Sequence, residues 1–429
     1  MIETAAPASP GRSMLAAALL GLAVAAWHFY FGAPLAKTML MQSFNWLFDF
    51  DSSRFVGGWC TPGADVAHDI DIAFLPRHAL SLATRPLCLG LNLVVQDPKL
   101  ALMTLTALCA GSAAAMAYLL VASFCASEFD RLLLTLGFAA SAQPLMMGVI
   151  PETYAFALAG VGLHLMLLAR SRPGPIGNGF AARVSLFLNL GITVTNSALN
   201  LLSSVVMSWQ RLGWRPWLRG EVRTWLWTLL ALAVVVLPTA ALVAPSLLTQ
   251  AGAAPKQVWW IININRGEPA TLGMVLISFF FYNVVAPAFT VIDLPAPDSH
   301  PMLDFRAFSF GAAGGAALAL WAVASCLSVF LAWRERSTRR LLIVLLGWML
   351  LTTVLHWYWQ YRGSVYLYGA HNCFALFAIV VLGYSIAVQG RAALVVRAGA
   401  ATMIVLAAVN NIGLYIGMIE FMRRQPLLP

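Results

Sequence analysis

Apolar runs long enough to cross a bilayer recur along almost the whole chain, and they decide what it can fold into. Met14 to Phe31 is the first. Others lie near 99–125, 132–150, 153–169, 225–247, 312–333, 341–357, 367–388 and 398–419. About 20 apolar helical residues span the hydrocarbon core. Inside lipid only helices and closed barrels satisfy the backbone. Of the 429 residues, 60% are hydrophobic and 10% charged, against about a quarter charged in soluble domains. Mean hydropathy is +0.79. A soluble globular chain, a disordered one and a soluble domain on a single anchor are excluded. The expected fold is all-α, a polytopic transmembrane helical bundle forming one domain.

The formal net charge of +9 reads as orientation, because basic loops stay cytoplasmic and face anionic headgroups there. Arg211, Arg215, Arg219 and Arg223 alternate with Trp209, Trp214, Trp217 and Trp225, a pattern that resembles a nucleic-acid patch. Gly213, Pro216 and Gly220 interrupt it and spans flank it. An interfacial segment with snorkelling arginines is expected, and no nucleic-acid partner. Cys60, Cys88, Cys109, Cys125, Cys326 and Cys373 form no CxxC pair, and most sit in apolar runs. They read as small core hydrophobes.

The first run ends in aromatics, Trp27 to Phe31. That suits a retained span with a cytoplasmic N-terminus rather than a cleaved signal. Residues 34–98 then form a first external loop. Within it Ala79 to Val95, interrupted by Arg85 and Pro86, is expected to lie in the interface. Val184 to Ser208 has basic loops on both sides. It must go out and return as two short helices turning near Asn196. Arg334, Arg336, Arg339 and Arg340 belong inside. That leaves 272–290, part of a second external or embedded segment over 248–311, embedded without crossing or set against the outer face. The count is about eleven crossings with the C-terminus outside, although Arg423 and Arg424 run against the charge rule there. No soluble domain, internal repeat or low-complexity tract is visible.

The chemistry-bearing residues cluster in the external loops. Asp49-Phe50-Asp51 is followed by Ser52, Ser53 and Arg54. In an extended segment residues two apart share a face, so the two carboxylates can converge. One can take a proton from an acceptor hydroxyl while the other orients it or holds a divalent metal. A solvated turn with a local salt bridge is the plain alternative. Asp69 and Asp71 repeat the spacing beside His68, with Arg77 and His78 after them, and suit either a metal or a helix cap. Glu152, in Pro151-Glu152-Thr153-Tyr154, falls at an outer membrane face and at a helix N-terminus, where the dipole favours an acid. Gly191 to Asn196 places polar groups at membrane depth. They either face a cavity or bond back to their own helix. Arg362 and His371 stand out from the aromatic loop His356 to His371, where an arginine can hold a lipid phosphate. GxGxxG, Walker A, HExxH and GxSxG patterns are missing from the sequence, so nucleotide-driven transport and the common hydrolases lose support.

Together these features resemble the C-type (GT-C) superfamily of integral membrane glycosyltransferases. The likeness rests on a first span followed by a long external loop with an acidic pair, Asp49 and Asp51. Interfacial helices follow, then a hairpin whose outer tip carries Pro151-Glu152-Thr153, then two short helices meeting at Gly191 to Asn196. Leu367-Tyr368-Gly369-Ala370-His371 resembles a late tyrosine-histidine motif of bacterial members. This chain has Asn196 where some lipid-sugar transferases carry lysine. The resemblance implies a polyprenyl-phosphate sugar donor used on the outer face of a bacterial inner membrane, with membrane lipids around it. It implies Asp49 or Asp51 as general base and Arg54 or Arg362 near the phosphate. His78, Glu152, Asn196, Tyr368 and His371 become substrate-binding candidates, with a divalent metal as an optional cofactor. Two other readings remain: a transporter or flippase of a lipid-linked molecule, and a non-catalytic subunit of an envelope-assembly complex.

Overall fold

A computed structural model describes residues 10–42, 47, 52–62, 79–171, 179–209, 212–243, 271–293, 301–305, 308–359 and 365–425. In chain order the helices are α1 (Pro10–Gly32), α2 (Ser52–Phe55), α3 (Ser81–Val95), α4 (Pro98–Ala122), α5 (Glu128–Ala140), α6 (Ala142–Met147), α7 (Thr153–Arg170), α8 (Phe180–Ile192), α9 (Ser197–Ser204), α10 (Trp214–Val243), α11 (Leu272–Ile277), α12 (Ala312–Arg334), α13 (Arg336–Trp359), α14 (Val365–Tyr368), α15 (Ala370–Ala387) and α16 (Ala393–Arg424). Strands β1 (Thr290–Asp293) and β2 (Pro301–Asp304) pair antiparallel, and Leu47 bridges Leu303 beside them. Among the described residues eight helices are long and apolar enough to cross a membrane: α1, α4, α7, α10, α12, α13, α15 and α16. The chain is an integral membrane protein built as an all-α polytopic bundle.

The bundle centres on α15, in which every residue from Ala370 to Ser385 is buried. A helix apolar all round belongs in such a position. Small residues let its neighbours approach: a Cβ on Gly383 would lie 2.2 Å from the Ser328 Cα of α12. The same logic joins α1 to α4. A Cβ on Gly111 would meet the Gly21 carbonyl oxygen at 2.3 Å, and Ala25 closes the contact. Lipid offers no hydrophobic drive between helices, so close packing of small residues supplies it.

The expected turn at Gly191 to Asn196 is present. α8 ends at Ile192, a 3₁₀ turn covers Val194–Asn196, and α9 returns, continued by a π turn over Val205–Trp209. The Asn189 side-chain amide donates to the Asn200 side-chain oxygen Oδ1 (2.8 Å) across the two limbs. His164 of α7 joins Ser185 (2.8 Å) and Ser203 (2.9 Å), one from each limb. Over 272–290 the helical part is short. Six residues of α11 and a five-residue π turn to Tyr282 rise about 16 Å, half of a hydrocarbon core of about 30 Å. The irregular backbone after Tyr282 is satisfied by protein, as it must be at depth. Ala142 and Gln143 donate to the carbonyls of Val284 and Asn283, and Asn411 bonds Ala140, Val284 and Ala286.

The arginine-tryptophan segment is helical from Trp214 onwards: α10 starts there and runs unbroken through Arg215, Arg219 and Arg223 into the apolar run. Gly213, at φ +74, supplies the left-handed residue before it. Pro216 lies in the first turn, where its missing N–H costs nothing.

At the arginine-rich end, Asp130 of α5 is buried at 3% exposure. It accepts from Arg397 Nε and Nη2 (both 2.8 Å) and from the Tyr384 hydroxyl (2.6 Å). Burial opposes its charge, but the arginine and tyrosine hydrogen bonds outweigh this and hold its carboxyl below the ordinary carboxylate value. A depressed folded pKa contributes stability above the unfolded value and loses it as pH falls through the folded one. Arg397 is 35% exposed, so solvent screens its half of the pair. Asp130→Asn is expected to cost about 2 kcal/mol at neutral pH, less than a fully buried pair. Thermal unfolding should show the gap between wild type and variant closing in acid.

Candidate functional site

The end opposite the arginine-rich one gathers most of the described candidates. α7 opens there. Glu152 is extended (φ −163°, ψ 169°) in the N-cap position and buried, with the Thr153 hydroxyl donating to it at 3.4 Å. Two residues on, the Tyr154 ring meets His371 (5.8 Å between centroids) and Tyr368 (5.7 Å) edge to face. His356, near the end of α13, stacks on Tyr368 at 4.4 Å and lies parallel to His371 at 6.0 Å. Phe279 closes the cluster at 5.6 Å from His356.

These rings are held from behind. Trp348 Nε1 donates to the His371 carbonyl (2.9 Å), and Thr352 donates to the Asn372 side chain (2.7 Å), fixing the start of α15 on α13. Gln143 donates to the Tyr366 carbonyl. Gly369 sits in the tightest corner. A Cβ there would lie 3.0 Å from the Tyr366 carbonyl oxygen and 3.1 Å from the Gln143 amide nitrogen. Gly369→Val is expected to destabilise by about 2 kcal/mol through overpacking and to displace Tyr368 and His371. Calorimetric unfolding checks the first effect, and the ring-proton shifts of the two side chains check the second.

The polar atoms of this cluster are unusual. His356 is 4% exposed and His371 2%. Both ring nitrogens of His356 and Nδ1 of His371 have no hydrogen-bond partner among the described residues. A buried polar atom left unpaired costs about 1–3 kcal/mol, which makes these nitrogens candidate contact points for a bound group. Burial, and then the nearby Cys373, hold the Tyr366 phenol well above its ordinary value. It therefore stays protonated at physiological pH.

Residues 52–62 are fastened to the same end. Phe55 of α2 packs on Trp59 (4.6 Å), and Trp59 meets Phe156 of α7 (5.4 Å). Cys60 and Cys88 form a disulfide, which corrects the reading of both as core hydrophobes. No CxxC spacing advertises the pair. Arg85, which interrupts the apolar stretch of α3, is buried and donates to the carbonyls of Gly58 (2.7 Å) and Thr61 (3.3 Å). A cation on terminal carbonyls suits the C-end of a helix. Leu80 N donates to the Gly191 carbonyl (2.7 Å), tying α3 to the tip of the α8–α9 hairpin. From the other side Phe305, just after β2, packs on Tyr366 at 4.8 Å.

Among the residues expected from sequence, Glu152, Tyr368 and His371 share an end and two of them share ring contacts. Asn196 is fully buried at the hairpin tip, with neither amide atom partnered among the described residues. Arg54 lies in α2, and its side chain is outside the described set. Asp49, Asp51, His78 and Arg362 also lie outside the described residues, as do His68, Asp69 and Asp71. Among the described residues no group of three His, Cys, Asp or Glu is arranged to hold a metal. His356 joins the cluster without a sequence signal of its own, because the aromatics of its motif account for it as an interface residue. No protein-family model matches the chain, and no curated protein matches it significantly.

Proposed function

We propose that the protein is a membrane glycosyltransferase that moves a sugar from a polyprenyl-phosphate donor to a hydroxyl of an envelope glycan, lipid or protein at the outer face. The observation that supports this best is the convergence of Glu152, Tyr154, His356, Tyr368 and His371 from four helices, with three buried imidazole nitrogens unpartnered among the described residues. The charge rule puts that end outside. A disulfide in the loop fastened there fits an oxidising compartment. About eleven crossings follow if the α5–α6 segment and each limb of the α8–α9 hairpin count as crossings alongside the eight long helices.

In this reading the acceptor oxygen attacks the anomeric carbon. Its proton passes to Asp49 or Asp51, and the bond from that carbon to the lipid-phosphate oxygen breaks. The phosphate leaves with the bonding electron pair. An imidazole N–H is present in either tautomer, so His356 and His371 can donate to the departing oxygen where charge develops. Arg54 or Arg362 would add the cation. The test is sugar transfer from a polyprenyl-phosphate donor by the purified protein and by its Asp49→Asn and Asp51→Asn variants. Undiminished transfer by both would overturn the assignment.

One observation favours a second reading, a transporter of a lipid-linked molecule. His164 sits inside the bundle, bonded to Ser185, Ser203 and Asn200 on paired short helices, and ionisable groups at depth line substrate paths. Translocation of a labelled lipid-linked sugar across vesicles, without transfer, selects it.

A further inference from the structure

We propose that a groove at the arginine-rich end binds the phosphate headgroup of an anionic phospholipid. The groove, of about 840 Å³, is walled by Val205, Val206, Trp209 and Gly213 on one side. Arg336, Arg339, Arg340 and Ile343 of α13 form the other. This end lies across the bundle from the candidate site above, so the inference stands apart from the proposed sugar transfer.

The three arginines are at positions i, i+3 and i+4, one face of a helix. Like charges at that spacing repel, and among the described residues that line the groove none is acidic. Glu335, the nearest acid in sequence, accepts from Ser337 N (3.2 Å) and from its hydroxyl (3.0 Å). Arg339 is held in place, its Nε donating to the Trp333 carbonyl at 2.7 Å and its guanidinium 5.6 Å from the Trp333 ring centre. The positive-inside rule accounts for arginines at this end. It does not account for their meeting in a groove whose opposite wall is apolar. A planar guanidinium binds phosphate oxygens in pairs.

The apolar part identifies the source of the phosphate. Ile343 is 39% exposed, and it continues along α13 into Leu350 (66%) and Val354 (50%), seven and eleven residues on and so on the same face. That strip runs away from the arginines towards membrane depth, as an acyl chain does below its headgroup. A free phosphate has no use for it.

The experiment uses the full chain in phosphatidylcholine nanodiscs doped with phosphatidylglycerol, with retained lipid counted by native mass spectrometry. Phosphatidylglycerol should be enriched over phosphatidylcholine. Each surface arginine contributes about a five-fold preference for anionic lipid, so R336Q/R339Q/R340Q should lose about 100-fold in affinity. The triple lysine variant, which keeps the charge but not the paired N–H geometry, should fall between wild type and the glutamine variant, and R215Q/R219Q should retain all of the binding. If the triple variant does not fold, R340Q alone should lose about five-fold. Equal retention by wild type and glutamine variants would overturn the proposal. So would displacement of the lipid by inorganic phosphate at equal concentration, which would make the groove a free-phosphate site.

Discussion

Asp49→Asn or Asp51→Asn is expected to lower the rate of sugar transfer by about 10²- to 10⁴-fold, the range that a general base contributes. Asparagine keeps the size and one acceptor oxygen of aspartate but cannot take a proton at neutral pH. The acceptor hydroxyl would still bind and would still face the anomeric carbon. The loss should therefore appear in kcat, with the acceptor KM little changed, because an interaction made only in the transition state has been removed. The two variants should differ. The base loses the full amount, and its neighbour, which orients the acceptor or holds a metal, loses less and shows part of its defect in KM. His371→Gln is a useful companion. It removes an N–H aimed at the leaving oxygen without touching the proton acceptor, and one such donor is worth about 10²-fold or more. A donor with a better leaving group should rescue His371→Gln but not the aspartate variant. Identical rescue of both would mean that the two side chains do not divide the work in this way.

Much of the architecture was legible because the bilayer imposes it. A run such as Ala312 to Arg334 has one fate, and its length alone announces it. The hairpin at Asn196 was legible because two basic loops flank a stretch that cannot end on both sides. What escaped depends on three-dimensional meeting. Cys60 and Cys88, 28 residues apart, look like any two cysteines of an apolar chain until α2 and α3 are side by side. Arg85 looks like an interfacial arginine until the carbonyls of Gly58 and Thr61 reach it. His356 looks like a member of an aromatic belt, and only the return of the chain at α14 and α15 puts Tyr368 and His371 against it. The start of α10 was obscured by Gly213, Pro216 and Gly220, which break an interior helix but suit its first turns. Sequence patterning reports each element's relation to lipid. It says little about which element meets which.

That meeting makes the disulfide the second place where a small change should have a large effect. Cys60→Ser/Cys88→Ser removes a cross-link closing 28 residues, worth about 3–4 kcal/mol by loop entropy. The loss should be local. α3 keeps its bond from Leu80 to Gly191, and Arg85 still reaches the Gly58 carbonyl. The bundle, built on α15, does not depend on either. Local opening of the bundle helices should move little, while hydrogen exchange over 52–62 and 79–95 should rise markedly. Transfer should suffer more than stability. The segment after Ser52 is pinned to Phe156 through Phe55 and Trp59, and in sequence Asp51 stands immediately before it. A displacement of about 1 Å in a reacting group costs about 10²-fold in rate, so the double serine variant should lose transfer to about that degree. Wild type treated with a membrane-permeant reductant should behave as the variant does, and reoxidation should restore it. Full transfer by the reduced protein would show that the first loop needs no staple, and would detach the acidic pair from the cluster around His371.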